Sequence, residues 1–149
     1  MKILKIRDVK TPVRGTSKSA GIDFFIPNDY IGKTTILPNE SILIPSGIQV
    51  NIPEGYMLTA FNKSGIASKN NLLIGACVID EDYTQEVHIN LHNVGNSIQN
   101  IEPGQKIAQF ILIPISYDTI ELTNNIEECY GIKLQTTERS GGFGSTGLN

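Results

Sequence analysis

Val87-His88-Ile89-Asn90-Leu91-His92 alternates apolar and polar residues one by one. Only an extended strand, whose successive side chains point to opposite faces, turns that pattern into one buried and one exposed side. Ile48-Gln49-Val50-Asn51-Ile52 repeats the alternation upstream. Around both segments turn signals recur at short intervals: Pro27-Asn28-Asp29, Pro38-Asn39, Pro45-Ser46-Gly47, Pro53-Glu54-Gly55, Asn70-Asn71, Gly95-Asn96 and Pro103-Gly104. Many short strands between Gly/Pro turns predict an all-β sandwich or barrel rather than a βαβ array. The apolar composition agrees, because Ile occurs 23 times and Ala 5 times, a β-branched bias that favours pleated sheet. Only Ser64–Lys69 and Asn124–Tyr130 leave room for a short helix.

With 149 residues the chain has the size of one ordinary domain. Charged residues make up 18%, less than the roughly 25% usual in soluble domains, which predicts surface buried against other copies. A net charge of −3 disfavours wide, sequence-independent nucleic-acid binding, which needs a basic face. No run approaches the ~18 apolar residues of a membrane span, and Met1–Lys10 lacks the grouped charges of a secretory signal, so a soluble, cytoplasmic protein is expected. Cys77 and Cys129 are expected to be buried free thiols.

Several side chains stand out chemically. Residues 139–149 (Arg139-Ser140-Gly141-Gly142-Phe143-Gly144-Ser145-Thr146-Gly147-Leu148-Asn149) have no strand or helix period and read as a mobile tail that something outside it must order. They contain G-x-G-x-x-G, yet only two residues follow Gly147, so no helix can hold a dinucleotide pyrophosphate there. What the tail does carry is backbone amides, two hydroxyls, the Arg139 cation and the Phe143 ring, a set that suits phosphate and a flat base. His88 and His92 have zinc-pair spacing for a helix, but on a strand they lie roughly 13 Å apart and cannot share one metal. Asp80-Glu81-Asp82 is expected at a hairpin tip, with Asp80 facing inward more than Asp82, placed to deprotonate a water, and with the Tyr83 ring beside it for a sugar. Lys63-Ser64-Gly65 reads as a tight loop after the strand Tyr56–Phe61, offering an ammonium, a hydroxyl and free amides. Gln109 lies in a run that reads as a buried strand, where it needs a polar partner.

In order along the chain, Ala20-Gly21-Ile22-Asp23, Lys63-Ser64-Gly65-Ile66-Ala67, Val78-Ile79-Asp80-Glu81-Asp82-Tyr83, Gly104-Gln105-Lys106-Ile107-Ala108-Gln109 and Gly141–Gly147 resemble the five motifs of the trimeric dUTP diphosphatase (dUTPase) family. The resemblance implies a jelly-roll-like β-barrel over 1–138, a glycine-rich tail over 139–149, and a homotrimer whose active sites are shared between subunits. It implies hydrolysis of dUTP to dUMP and pyrophosphate with Mg²⁺. Asp80 would activate the water, Tyr83 would pack on the deoxyribose, and Phe143 would cover uracil. The hairpin from Cys77 to His88 would read the base through its backbone. Lys63, Ser64, Gly65 and Gln109 would hold the phosphates, with Arg139, Ser145 and Thr146 on the terminal one and Gly144 also binding substrate. Asp23 would act on the magnesium ion through its waters.

The sequence departs from the family pattern at four places. Lys63 replaces the common Arg, giving a point charge in place of a bidentate fork. Cys77 and Gln85 replace glycines, and Arg139 stands four residues before Phe143, one fewer than usual. Two other functions compete: a dCTP deaminase-related enzyme, for which no further catalytic Glu can be placed, and a non-catalytic or dual-role dUTP sensor.

Overall fold

The computed structural model describes residues 1–136 and Glu138. The expected tail residues, Arg139, Phe143, Gly144, Ser145 and Thr146 among them, lie outside the described residues. Two compact units divide the chain, Met1–Ser116 and Tyr117–Asn149. The first runs β1 (Lys2–Lys5), β2 (Val13–Arg14), β3 (Ile22–Phe25), β4 (Thr35–Ile36), β5 (Ser41–Pro45), β6 (Ile48–Asn51), β7 (Tyr56–Asn62), α1 (Ser64–Asn70), β8 (Leu72–Ile74), β9 (Val78–Ile79), β10 (His88–Asn93), β11 (Gln99–Asn100) and β12 (Lys106–Pro114). The second holds α2 (Ile126–Tyr130) and α3 (Lys133–Thr136). Asn125 caps α2, its side chain accepting from the Glu128 amide at 2.7 Å.

The β-rich expectation holds. Among the described residues twelve strands form a five-stranded sheet in the order β2-β3-β12-β7-β9, a three-stranded sheet β5-β10-β8, and the pairs β1-β6 and β4-β11, all antiparallel. One apolar cluster draws on all four: Phe24, Leu58 and Phe110 from the first, Ile44, Ile89 and Leu91 from the second, Val50 and Ile36 from the pairs. The Phe24 and Phe110 rings meet at its centre, 4.2 Å apart. The strands wrap this core as jelly-roll strands do, but their ladders are not joined into a closed barrel. Sharp corners cause the breaks: at Gly47, with φ +72°, the chain leaves β5 in one sheet and enters β6 in another.

The opening alternation is visible directly in β10, where Ile89 and Leu91 are fully buried while His88 is exposed and Asn90 and His92 are half-buried. Asn93 ends that strand as a buried polar side chain with its bonding complete. It donates to Ile36 O at 2.9 Å and Ser97 O at 2.8 Å and accepts from the Gly95 amide at 3.0 Å.

Three sequence expectations change. Lys63-Ser64-Gly65 does not form a loop: Lys63 is the extended residue before α1, and Ser64 and Gly65 begin the helix. Cys77–His88 is not a two-strand hairpin, because β9 pairs with β7 while β10 pairs with β5 and β8, so residues 80–87 carry the chain from one sheet to another. Both cysteines are free, but Cys77 is only half-buried and Cys129, on α2, is exposed. No helix among the described residues is long and apolar enough to cross a membrane.

Candidate active site

Among the described residues β9 is the outer strand of the five-stranded sheet, paired on one side only. An edge strand presents unpaired backbone donors and acceptors. Beside it lies a cavity of about 210 Å³ lined by Cys77, Val78, Asp80, Tyr83, His88 and Phe110, with Ala76 and Ile79 completing the wall. That is less than the roughly 300–1,000 Å³ of drug-sized sites, room for part of a nucleotide rather than all of it. Four residues singled out from sequence thus meet here: Cys77, Asp80, Tyr83 and His88.

Asp80 is exposed, as Asp82 is, so the expected inward bias of Asp80 is absent. Neither carboxylate makes a hydrogen bond or ion pair among the described residues, and what distinguishes Asp80 is its place on the cavity wall. The Tyr83 hydroxyl donates to the Glu86 carbonyl at 2.9 Å. His88 Nδ1 lies 2.9 Å from the same carbonyl, which can only accept, so Nδ1 carries the proton and Nε2 of a neutral ring is left as acceptor. The Cys77 thiol donates to Gly75 O at 2.8 Å.

A second group gathers at the far end of β7. Asp23, buried on β3, pairs with the ammonium of Lys63 and with Lys106 Nζ at 3.1 Å. Burial pushes the Asp23 carboxyl up, but the hydrogen bonds from Lys63 and Lys106 outweigh it and hold the group below its usual range. Gln109 stands opposite Asp23 across the β3/β12 ladder and donates to Asn62 O at 2.8 Å, which supplies the polar partner its place in the strand requires. A Cβ at Gly21 would run into the Gln109 amide, so the glycine of the first motif makes room for the glutamine of the fourth. A Cβ at Gly65 would meet nothing within 4 Å, and the first-turn amides of α1 stand beside that open space.

The two groups are apart. β9 pairs with the first half of β7 (Leu58 with Ile79, Thr59 with Val78), which sets Asp80 level with Met57. Lys63 follows six residues later, roughly 20 Å along a strand. One chain therefore does not bring the Asp80 cavity and the cationic group together.

Sequence reading missed Lys106 and Glu86. Lys106 lies inside a quoted motif, but its approach to Asp23 comes from the pairing of β12 with β3, whose register shifts between Lys106 and Ala108. No local pattern marks Glu86, and only the tertiary fold shows its partners.

Comparison with known proteins bears on family and fold. The dUTPase family model matches residues 7–147. A deoxyuridine 5'-triphosphate nucleotidohydrolase of Mus musculus is 39% identical over 93% of this chain and 78% of its own length. That of Hydrogenobaculum is 34% identical over 99% of both chains. The mitochondrial human enzyme is 38% identical, and this chain spans 50% of its length. Among solved structures, a mutant dUTPase of Staphylococcus bacteriophage 80alpha with dUpNHpp superposes with a TM-score of 0.79 at 24% identity, covering 99% of this chain and 98% of that one. A phage phi11 dUTPase mutant, described for the coordination of a structural Mg(II) ion, gives 0.72 at 24% over 85% and 97%. With the model match running through all five motifs and curated relatives at 34–39% identity, this chain belongs to the dUTPase family.

Proposed function

We propose that the chain hydrolyses dUTP to dUMP and pyrophosphate by attack of water on the α-phosphorus. The observation that carries this reading is the cavity at edge strand β9, sized for a base and sugar, with the unpartnered Asp80 carboxylate on its wall. Backbone groups of an edge strand in a narrow site distinguish uracil from cytosine by donor and acceptor pattern, and a tight wall excludes the thymine methyl. Tyr83, fixed through its hydroxyl, packs on the deoxyribose and leaves no space for a 2′-hydroxyl. Asp80 takes the proton of the attacking water, and the departing pyrophosphate is met by cationic and hydrogen-bonding groups.

Lys63, Ser64, Gly65 and Gln109 hold phosphate oxygens, and Lys106 adds a second ammonium. In the absence of phosphate Asp23 keeps both lysines in place. Among the described residues no three His, Cys, Asp or Glu side chains converge as a cage for a metal. Asp23, its two oxygens engaged by Lys63 and Lys106, would act on Mg²⁺ through the ion's waters, with substrate phosphates supplying further oxygen ligands. When bound, the ion neutralises charge that develops on the phosphates. Because the cavity and the cationic group lie far apart on one chain, the reading requires a homotrimer in which Asp80 and Tyr83 of one subunit face Lys63 and Gln109 of the next. The functional division is a β-rich domain over 1–138 and a tail over 139–149. From the tail Phe143 covers the base, and Arg139, Gly144, Ser145 and Thr146 reach the phosphates. Ile120 and Leu122, 98% and 94% exposed, are apolar side chains for such an assembly to cover.

The test is pyrophosphate release from dUTP, dCTP, dTTP and UTP by the full chain with Mg²⁺. Turnover of dUTP at least about 10²-fold more efficient than of the other three is expected. Equal turnover of UTP removes the Tyr83 assignment, and no dUTP turnover removes the whole reading.

A further inference from the structure

Residues 80–87 leave one sheet and enter another, so no ladder fixes them from end to end. The segment is instead held at a few points. Near its start Glu81 accepts from the Gly55 amide at 2.7 Å. At its end Val87, fully buried, accepts from Ser46 N and donates to Ile48 O at 3.0 and 2.8 Å. Just before Val87, the Glu86 carboxylate takes Arg7 Nε at 2.8 Å, Arg7 Nη2 at 3.0 Å and the Gly47 amide at 2.8 Å. The Glu86 side chain is only 13% exposed against 42% for Arg7, so the carboxylate is sunk into the fold and the guanidinium closes over it. Bidentate charge-assisted bonding of this kind fixes direction as well as distance.

The backbone carbonyl of the same residue accepts from both the Tyr83 hydroxyl and His88 Nδ1. A carbonyl oxygen has two lone pairs, and here both are used. Two rings on the cavity wall are therefore referenced to one oxygen atom, and that atom belongs to the residue whose side chain Arg7 and Gly47 clamp. We propose that Glu86, set by Arg7, is a positioning residue that fixes Tyr83 and His88 against the sugar and base. This rests on the reading of the cavity as a deoxynucleotide site. Glu86 itself lies off the cavity wall, so its effect passes through the two rings. Val87 anchors the following strand independently, so loosening Glu86 leaves the fold standing and frees the rings.

The experiment compares wild type with Glu86→Gln, Arg7→Ala, Arg7→Lys, Tyr83→Phe and the double variant Arg7→Ala/Glu86→Gln. It measures kcat/KM for dUTP and UTP, and follows the His88 Nδ1–H resonance by ¹⁵N–¹H NMR without nucleotide. Glu86→Gln and Arg7→Ala should each cut the dUTP-over-UTP preference about tenfold, and the double variant should add little to either, as coupled residues do. Tyr83→Phe keeps the ring, loses the bond to the carbonyl and should reproduce that loss, while Arg7→Lys should recover part of it. The His88 Nδ1–H should exchange faster with water in Glu86→Gln. Wild-type sugar preference and unchanged His88 exchange in Glu86→Gln and Arg7→Ala would overturn the proposal. Should Glu86→Gln not fold, Arg7→Ala and Tyr83→Phe decide the same question. If wild type does not prefer dUTP, the site reading fails, and the His88 resonance still reports on the clamp.

Discussion

At the residue scale, the functional side chains divide by whether the fold gives them a partner. Asp23, Lys63, Gln109, Tyr83 and His88 all have one, whereas Asp80 has none among the described residues. That is what a general base needs, since a carboxylate already saturated by donors is a poor proton acceptor. Asp80→Asn keeps the shape and removes the basicity, so kcat should fall by roughly 10²–10⁴ with dUTP binding nearly unchanged. Single-turnover kinetics beside equilibrium binding of a non-hydrolysable analogue separates the two, and near-normal kcat would move the role to another residue. Gly21 makes a subtler test. The alanine methyl would displace the Gln109 amide from Asn62 O, at a cost of about 1 kcal/mol for the hydrogen bond. Gly21→Ala should accordingly weaken dUTP binding several-fold, and Gly21→Ala on a Gln109→Ala background should cost little more. Both residues stood out in the sequence, but their contact did not, because Gly21 and Gln109 are brought together only by pairing of β3 with β12.

At the scale of elements, the strands could be read because burial on one face writes a period of two into the sequence, as in β10, where Ile89 and Leu91 are buried and His88 is not. The turns could be read because Asn39, Gly47, Asn71 and Gly104, all in quoted turn signals, do adopt positive φ. Helix α3 carried no such mark, being one turn of Lys133–Thr136 without a usable apolar repeat. Residues 80–87 looked like a hairpin because two apolar runs flanked an acidic turn, and nothing local says that the runs enter different sheets. The anchoring of this segment gives a pH prediction. The hydrogen bonds from Arg7 hold the Glu86 carboxyl below its usual range despite partial burial. A carboxyl whose folded pKa is depressed adds stability above its unfolded value, about 4.3, and loses it as pH falls through the folded value. Wild type should thus melt above Glu86→Gln at neutral pH, with the two melting temperatures converging on acidification below pH ~4. A difference that stays constant down to pH ~3 would assign the effect to packing rather than charge.

At the scale of the molecule, the register of β9 on β7 does the deciding. It places Asp80 and Lys63 roughly 20 Å apart along one chain, while a triphosphate must touch both kinds of group at once. The proposed trimer would resolve this by setting the Asp80 side of each subunit against the Lys63 side of the next, a heterologous contact that repeats and closes. Light scattering with size exclusion should give the mass of three chains. A sharper test uses two inactive variants, Asp80→Asn and Lys63→Ala, co-expressed in equal amounts. If each site takes Asp80 from one subunit and Lys63 from its neighbour, a site works when a Lys63→Ala chain supplies the aspartate and an Asp80→Asn chain the lysine. Random assembly makes that arrangement at about one site in four, so the co-expressed pool should recover about a quarter of wild-type turnover although each parent is nearly inactive. If both residues of a site came from one chain, every site would carry one defect or the other, and mixing would recover nothing. Mixing the purified parents without subunit exchange supplies the control, because only chains assembled together can complete each other's sites.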